Sequence, residues 1–460
     1  MLVTPQAARA PAARADSPIA RADRLLAAGH LDDARALLEQ YLARHPSSAI
    51  AHDRLGFVRG KQGATADAIA EFRSAVALDP ELADAHYHLG ATLWWTKDVA
   101  GAREALERAV RLRPRHAESR YYLGLTKRQQ GDLDGAIADL RAAVQANRSL
   151  AVAHLQLGVA LQQAGDLDGA IDALERASTL DPSRADAANS LGLALMQKGD
   201  AERAVRTLRG TVERHPDFGS ARLNLGTALL QTGAIDDAIR EYRELTRREP
   251  GNAEAVYDLG LALKQHDEFD AAADALRTAM RLDEKLPEAP YTLGVVLWQT
   301  GKADDAVAMF REALSRRPGY ADAHYMLGTI YRQRGDLEAA LAEFRETTRL
   351  NPSSAEAFRS LGQALAALKD PDAAAAALSE AERLTKAKAN AQAAVFAINA
   401  GREQLRANDV AGAIERFREA IHLAPDNAEA HYRLSLALRR QGALTEARPE
   451  LDTARTLGWR

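Results

Sequence analysis

Cysteine is absent from all 460 residues, which removes disulfides, thiolate metal sites and cysteine nucleophiles from consideration. Lysine is scarce, ten against fifty arginines, a bias of the kind that a GC-rich bacterial genome imposes. Aromatic residues make up only 5%. No stretch approaches the roughly 20 apolar residues that a bilayer-crossing helix needs, so no transmembrane segment is expected. The N-terminal MLVTPQAARAPAARADSP lacks the continuous apolar core of a secretory signal. A soluble chain is expected, with its compartment open: cytoplasm, or periplasm if a signal has been lost upstream. An excess of charge of one sign is missing too. Lys and Arg total 60, Asp and Glu 64, the net charge is −4, and the signs are interleaved. A nucleic-acid binder needs a basic stripe to meet phosphates, so nucleic acid is not an expected partner.

What is present is a period. Leu-Gly pairs stand at Leu55-Gly56, Leu89-Gly90, Leu123-Gly124, Leu157-Gly158 and Leu191-Gly192. They continue at Leu225-Gly226, Leu259-Gly260, Leu293-Gly294, Leu327-Gly328 and Leu361-Gly362, every step being 34 residues. Thirteen places after each Leu stands an alanine, from Ala68 and Ala102 through to Ala340 and Ala374. Four places further on comes a large apolar residue, such as Phe72, Leu106, Leu140, Tyr242, Phe310 or Phe344. Proline closes many units, as at Pro46, Pro80, Pro182, Pro250, Pro318 and Pro425.

Each unit reads as two helices with a break between them. Leu157, Gly158 and Leu161 recur at helical spacing in the first helix, and Ala170, Leu174 and Ala177 in the second. Between them lie Gly-Asp pairs such as Gly131-Asp132, Gly165-Asp166, Gly199-Asp200 and Gly335-Asp336. Glycine takes the left-handed conformation that ends a helix, and Asp caps the free N–H groups of the next. Small residues at the Gly and Ala positions let the two helices approach closely.

These residues resemble the tetratricopeptide repeat family, whose unit is a 34-residue helical hairpin. The resemblance implies an all-α solenoid, a right-handed superhelix of about thirteen tandem helix-turn-helix repeats. Residues 1–14 read as a disordered lead-in, 15–388 as eleven repeats in register, 389–393 as an insertion that extends a helix or kinks it, and 394–460 as two further repeats. The first unit lacks the Leu-Gly pair but keeps Gly29, Ala34 and Pro46, as a worn terminal cap would. Lys97, Asp267 and Lys369 replace the turn glycine in three units. Pro449 falls inside the last expected helix, which should therefore start late or bend.

The resemblance also implies that the second, fifth, ninth and twelfth places of each unit line an inner groove. Steps of three and four put such places on one helix face. The fifth place carries Tyr87, Tyr121, Tyr257, Tyr291, Tyr325 and Tyr432, and the second is mostly acidic. The twelfth carries Trp94, Arg128, Lys264, Trp298 and Arg332, with Trp95 beside the first of these. Tyrosines flanked by acids and cations can hold an extended peptide by stacking and hydrogen bonding, although Tyr at the fifth place also serves repeat packing. The Lys/Asn/Arg clamp that some members use for C-terminal carboxylates is not present as a set.

No HExxH, phosphate-binding loop or GxSxG elbow occurs. His52, His86, His154, His324 and His431 all hold the fourth place of their units, so the repeat template accounts for them. We therefore expect no catalytic residue, metal or cofactor, and a scaffold that binds protein or an extended peptide. The alternative is the substrate-recruiting repeat portion of a larger enzyme such as a glycosyltransferase.

Overall fold

A computed structural model describes residues 17–459. All of their regular structure is helical, in 25 helices with no strand among them. The lead-in expected over 1–14 lies outside the described residues. The chain divides into two compact units, Met1–Pro250 and Gly251–Arg460, and one hairpin construction runs through each.

Helix boundaries follow the 34-residue step. In the first unit, first helices begin at Ala49, Ala83, Ala117, Ala151, Ala185 and Gly219, and second helices at Thr65, Val99, Leu133, Leu167, Ala201 and Ile235. In the second unit, first helices begin at Ala253, Ala321 and Ala355, and second helices at Phe269, Ala303, Leu337 and Pro371. Where Pro287 takes the first place, the helix begins one residue later, at Glu288. The turn between partners works as its residues dictate. Gly131 has φ +81, and the Asp132 carboxylate accepts from the Gly135 amide at 3.0 Å. Where the turn glycine is replaced, the left-handed backbone persists: φ is 66° at Lys97, 61° at Asp267 and 63° at Lys369.

Inside each hairpin the repeated small residues are close-approach points. A Cβ added to Gly90 would lie 2.6 Å from Leu106 Cγ, and one on Gly294 would lie 2.8 Å from the Phe310 ring. Ala68, Ala102, Ala272 and Ala306 are fully buried. Any larger side chain at these places would push the helix axes apart.

Most first helices of successive repeats touch one another directly within each unit, whereas successive second helices make at most marginal contact among the described residues. The more tightly spaced row takes the inner side of a curved stack, so the first-helix face is the inner wall.

Two local readings meet the structure differently. Residues 389–393 lie within one unbroken 36-residue helix, Pro371–Arg406. Residues 385–393 contain neither Gly nor Pro and are rich in Ala and Lys, and such helix formers carry the first-helix/second-helix boundary through without a turn. Of the two outcomes expected for the last helix, a late start or a bend, the late start does not occur. The helix begins at Leu444, the usual place, and holds Pro449 in its interior. Pro449 removes one N–H bond to the carbonyl of Thr445, but both residues are exposed, so water takes the bond's place. No helix among the described residues is long and apolar enough to cross a membrane.

Candidate peptide-binding face

The fourth-place histidines are structural ties. In His52, His324 and His431, Nε2 meets the carbonyl oxygen six residues earlier, Pro46 at 3.0 Å, Pro318 at 3.1 Å and Pro425 at 2.9 Å. Nδ1 of the same rings meets a glutamate 19 residues later, Glu71 at 2.6 Å, Glu343 at 2.6 Å and Glu450 at 2.5 Å. Arg120 with Asp139 and Arg222 with Glu241 repeat that spacing. The pair binds first helix to second and both to the preceding loop. Among the described residues no group of three or more His, Cys, Asp or Glu is arranged to hold a metal ion.

Fifth-place side chains meet the sixth place of the following repeat, 35 residues on. Tyr257 Oη lies 3.3 Å from Thr292 Oγ1, Tyr325 Oη lies 3.4 Å from Ser360 Oγ, and Asn224 Nδ2 donates to Asn189 Oδ1 at 2.8 Å. His88 Nδ1 meets Asp53 Oδ1 at 2.7 Å, and the rings of Tyr87 and Tyr122 stand 6.1 Å apart. These rungs join neighbouring first helices. Each tyrosine is thus half-buried, with its remaining surface on the inner wall. Burial raises the Tyr87 phenol to about 12, with Tyr122 and Glu118 adding to the effect. Burial also raises Tyr121, Tyr257, Tyr291 and Tyr325, so the rungs are neutral hydrogen-bonding phenols at physiological pH.

In the first unit the wall is aromatic and cationic. Trp94 packs edge-on to Trp95 at 5.0 Å and to Tyr122 at 5.7 Å. Its indole Nε1 is buried with no hydrogen-bond partner among the described residues. Trp95 is 69% exposed. Beside it a hollow of about 380 Å³ opens between the helices Ala49–Lys61 and Ala83–Trp95, walled by Phe57, Tyr87, Trp95 and Tyr122 with Lys61 at its edge. Arg128 is half-buried, and its Nη1 has no hydrogen-bond partner among the described residues. Desolvation lowers its pKa from the ordinary guanidinium value, opposed by Tyr121.

The second unit puts carboxylates around its tyrosines. Glu254, Glu288, Asp322 and Glu356 occupy the second place of successive repeats, alternating with Tyr257, Tyr291 and Tyr325. Glu356 accepts from Tyr325 Oη at 2.9 Å. Glu288 pairs with Arg317 at 2.9 Å, whose guanidinium also lies 3.6 Å over the Tyr320 ring. Glu254, Asp258 and Asp322 have no basic partner among the described residues. Burial, reinforced by Glu254, raises Asp258 to about 6. At the twelfth place Lys264 and Trp298 are half-buried, while Arg332 donates to Gln363 and lies 5.8 Å from the Phe344 ring centre.

The structure thus brings Tyr87, Trp94 and Trp95 together, with Tyr121 and Arg128 on the adjoining repeat. Tyr257, Lys264, Tyr291, Trp298, Tyr325 and Arg332 form a separate set in the second unit. Sequence reasoning missed the hollow. Its signals were two small residues at lining places, Gly60 at the twelfth and Ala91 at the ninth. It also missed the sixth-place partners His88, Tyr122, Thr292 and Ser360.

Tetratricopeptide repeat models match residues 96–151, 155–217, 191–242, 223–287, 291–349, 325–391 and 398–459. A further model of that description matches 19–58, and a TPR repeat model matches 60–94. No curated protein matches the chain. Among solved structures it is similar to crystalline MamA, at 27% identity and a TM-score of 0.34, over 36% of this chain and 96% of that one. It is similar to YrrB, a TPR protein with an unusual peptide-binding site, at 23% identity and 0.36, over 41% of this chain and 97% of that one. It is also similar to the APC/C hetero-tetramer Cut9–Hcn1, at 17% identity and 0.38, over 93% of this chain and 97% of that one.

Proposed function

The chain belongs to the tetratricopeptide repeat family, and on that premise we propose that it is a protein-binding scaffold whose first-helix wall holds an extended segment of a partner. One observation carries the reading: charges on that wall, half-buried at Arg128 and Asp258 and exposed at Glu254 and Asp322, have no oppositely charged counterpart among the described residues. Arg128 lacks one on the first unit, and Glu254 and Asp322 lack one on the second. Half-burying a charge without a partner costs free energy, and hydrogen-bonding groups on a guest recover it. Tyrosines recurring every 34 residues give an extended backbone flat surfaces to lie on, with phenol groups to bond its amides.

The test uses the full chain, immobilised and exposed to a lysate of the source organism. Trp95→Ala, Arg128→Ala and Trp298→Ala together should reduce the yield of captured protein at least tenfold, since one aromatic anchor typically contributes about 2 kcal/mol. The control carries Arg240→Ala and Arg349→Ala on exposed second-helix positions and should capture normally. Equal capture by both variants, with unchanged circular dichroism, would reject the reading.

A further inference from the structure

We infer that the hollow between the helices Ala49–Lys61 and Ala83–Trp95 is an anchor subsite for one large apolar side chain of a partner peptide, with an acidic group next to that side chain paired to Lys61. The inference rests on the scaffold reading and assigns chemistry to one part of the wall.

The hollow exists because two side chains are missing. At the twelfth place, where other repeats set Trp94, Arg128, Lys264 or Trp298, this repeat has Gly60. Ala91, at the ninth place of the next repeat, leaves the opposite side short. Three of the rings around them are held by the rungs: Tyr87 packs against Tyr122, and His88 is bonded to Asp53. About 380 Å³ falls near the lower end of ligand-pocket volumes, roughly 300–1,000 Å³. That is room for one large side chain and its flanking backbone.

The walls select the guest. Phe57, Phe72, Tyr87, Trp95 and Tyr122 present ring surface, and Trp95 is left 69% exposed. An apolar guest removes that surface from water. No acidic residue lines the hollow. The nearby carboxylate of Asp53 is fully buried and already bonded to His88 and Arg54. Lys61 stands 5.6 Å from the Phe57 ring centre and pairs with no carboxylate among the described residues. A cationic guest would meet the Lys61 charge over the ring face that attracts it, whereas a carboxylate beside the apolar anchor meets a free ammonium.

Fluorescence anisotropy with three labelled heptapeptides tests this on the full chain. They differ only at the centre: Glu-Phe-Glu, Glu-Ala-Glu and Lys-Phe-Lys. The first should bind at least tenfold tighter than either of the others. Gly60→Leu should abolish the preference for Phe over Ala by filling the hollow. A Cβ at Gly60 meets only the Ala68 Cβ, at 3.7 Å, so the helix tolerates it, and Ala91→Leu serves as a second filling variant from the other side. Lys61→Glu should reverse the order of Glu-Phe-Glu and Lys-Phe-Lys. Equal binding of the Phe and Ala peptides to the unaltered chain overturns the inference. So does an unchanged preference in both folded filling variants, or an unchanged charge order in Lys61→Glu. Such a failure leaves the scaffold reading to the capture experiment, whose Arg128 and Trp298 substitutions lie outside the hollow.

Discussion

Residues 49–128 and residues 253–332 build the same wall from the same template and leave different charges on it unpaired. Both stretches seat a large residue under a helix glycine, Leu106 under Gly90 in one and Phe310 under Gly294 in the other. Both bridge repeats through the fifth and sixth places. The first then leaves Lys61 and Arg128 without carboxylates, whereas the second leaves Glu254, Asp258 and Asp322 without bases alongside an unpaired Lys264. Packing between repeats dictates the places that touch a neighbour. The twelfth place carries residues as different as Gly60, Trp94, Arg128 and Lys264, so its side chain and charge vary from repeat to repeat.

The largest expected effect strikes the shared part. Phe310→Ala should cost about 3–5 kcal/mol, because the ring is fully buried beneath Gly294 and 5.7 Å from Tyr291. Leu106→Ala should cost nearly as much, about 2–5 kcal/mol. Urea unfolding followed by circular dichroism measures both. If either changed the midpoint by less than experimental error, the packing inside the hairpin would not be what the two stretches have in common.

A smaller effect separates them. Asp258 has its pKa raised to about 6 from 3.8, so the folded chain keeps a proton that the unfolded chain has released. Its contribution to stability is complete below the unfolded pKa and is lost as pH rises from about 4 to 6. Asp258→Asn should therefore stabilise the protein at pH 7.5 by on the order of 1–3 kcal/mol, with the advantage vanishing near pH 4. Melting temperatures across that range give the sign directly. An advantage that grew toward low pH would contradict it.

The smallest effect concerns the turns. Lys97→Gly in the first stretch should add about 1 kcal/mol by relieving a left-handed backbone at a residue with a Cβ. Asp267→Gly in the second should add less, since Asp visits that region more readily. Differential scanning calorimetry would show equal gains if the side chain's own backbone preference had no part in the cost.

The hairpins were legible in the sequence because their signals are positive and local. Gly131 and Asp132 announce a stop and a start, and the structure has the positive φ and the cap bond that those residues make. The fourth-place histidines recur with the template, but the glutamate partners that His52, His324 and His431 find 19 residues on were not foreseen. The hollow was illegible because it is made by what Gly60 and Ala91 do not supply, and a missing side chain gives no signal until its neighbours are placed. The unpaired state of Arg128 and Glu254 depends likewise on which charges from other repeats come within reach. Pro449 does not delay the last helix, although a late start was one of the two outcomes expected of it. Its lost bond faces water, and the helix keeps its ordinary start.

The helix Pro371–Arg406 changes how this chain can come apart. Elsewhere a turn separates each helix from the next, so one hairpin can open while its neighbour stays shut. Here a second helix and the following first helix share one uninterrupted ladder of amide hydrogen bonds. Loosening either end frays the other, and their amide protons should exchange with solvent together, as a single weld in an otherwise segmented chain.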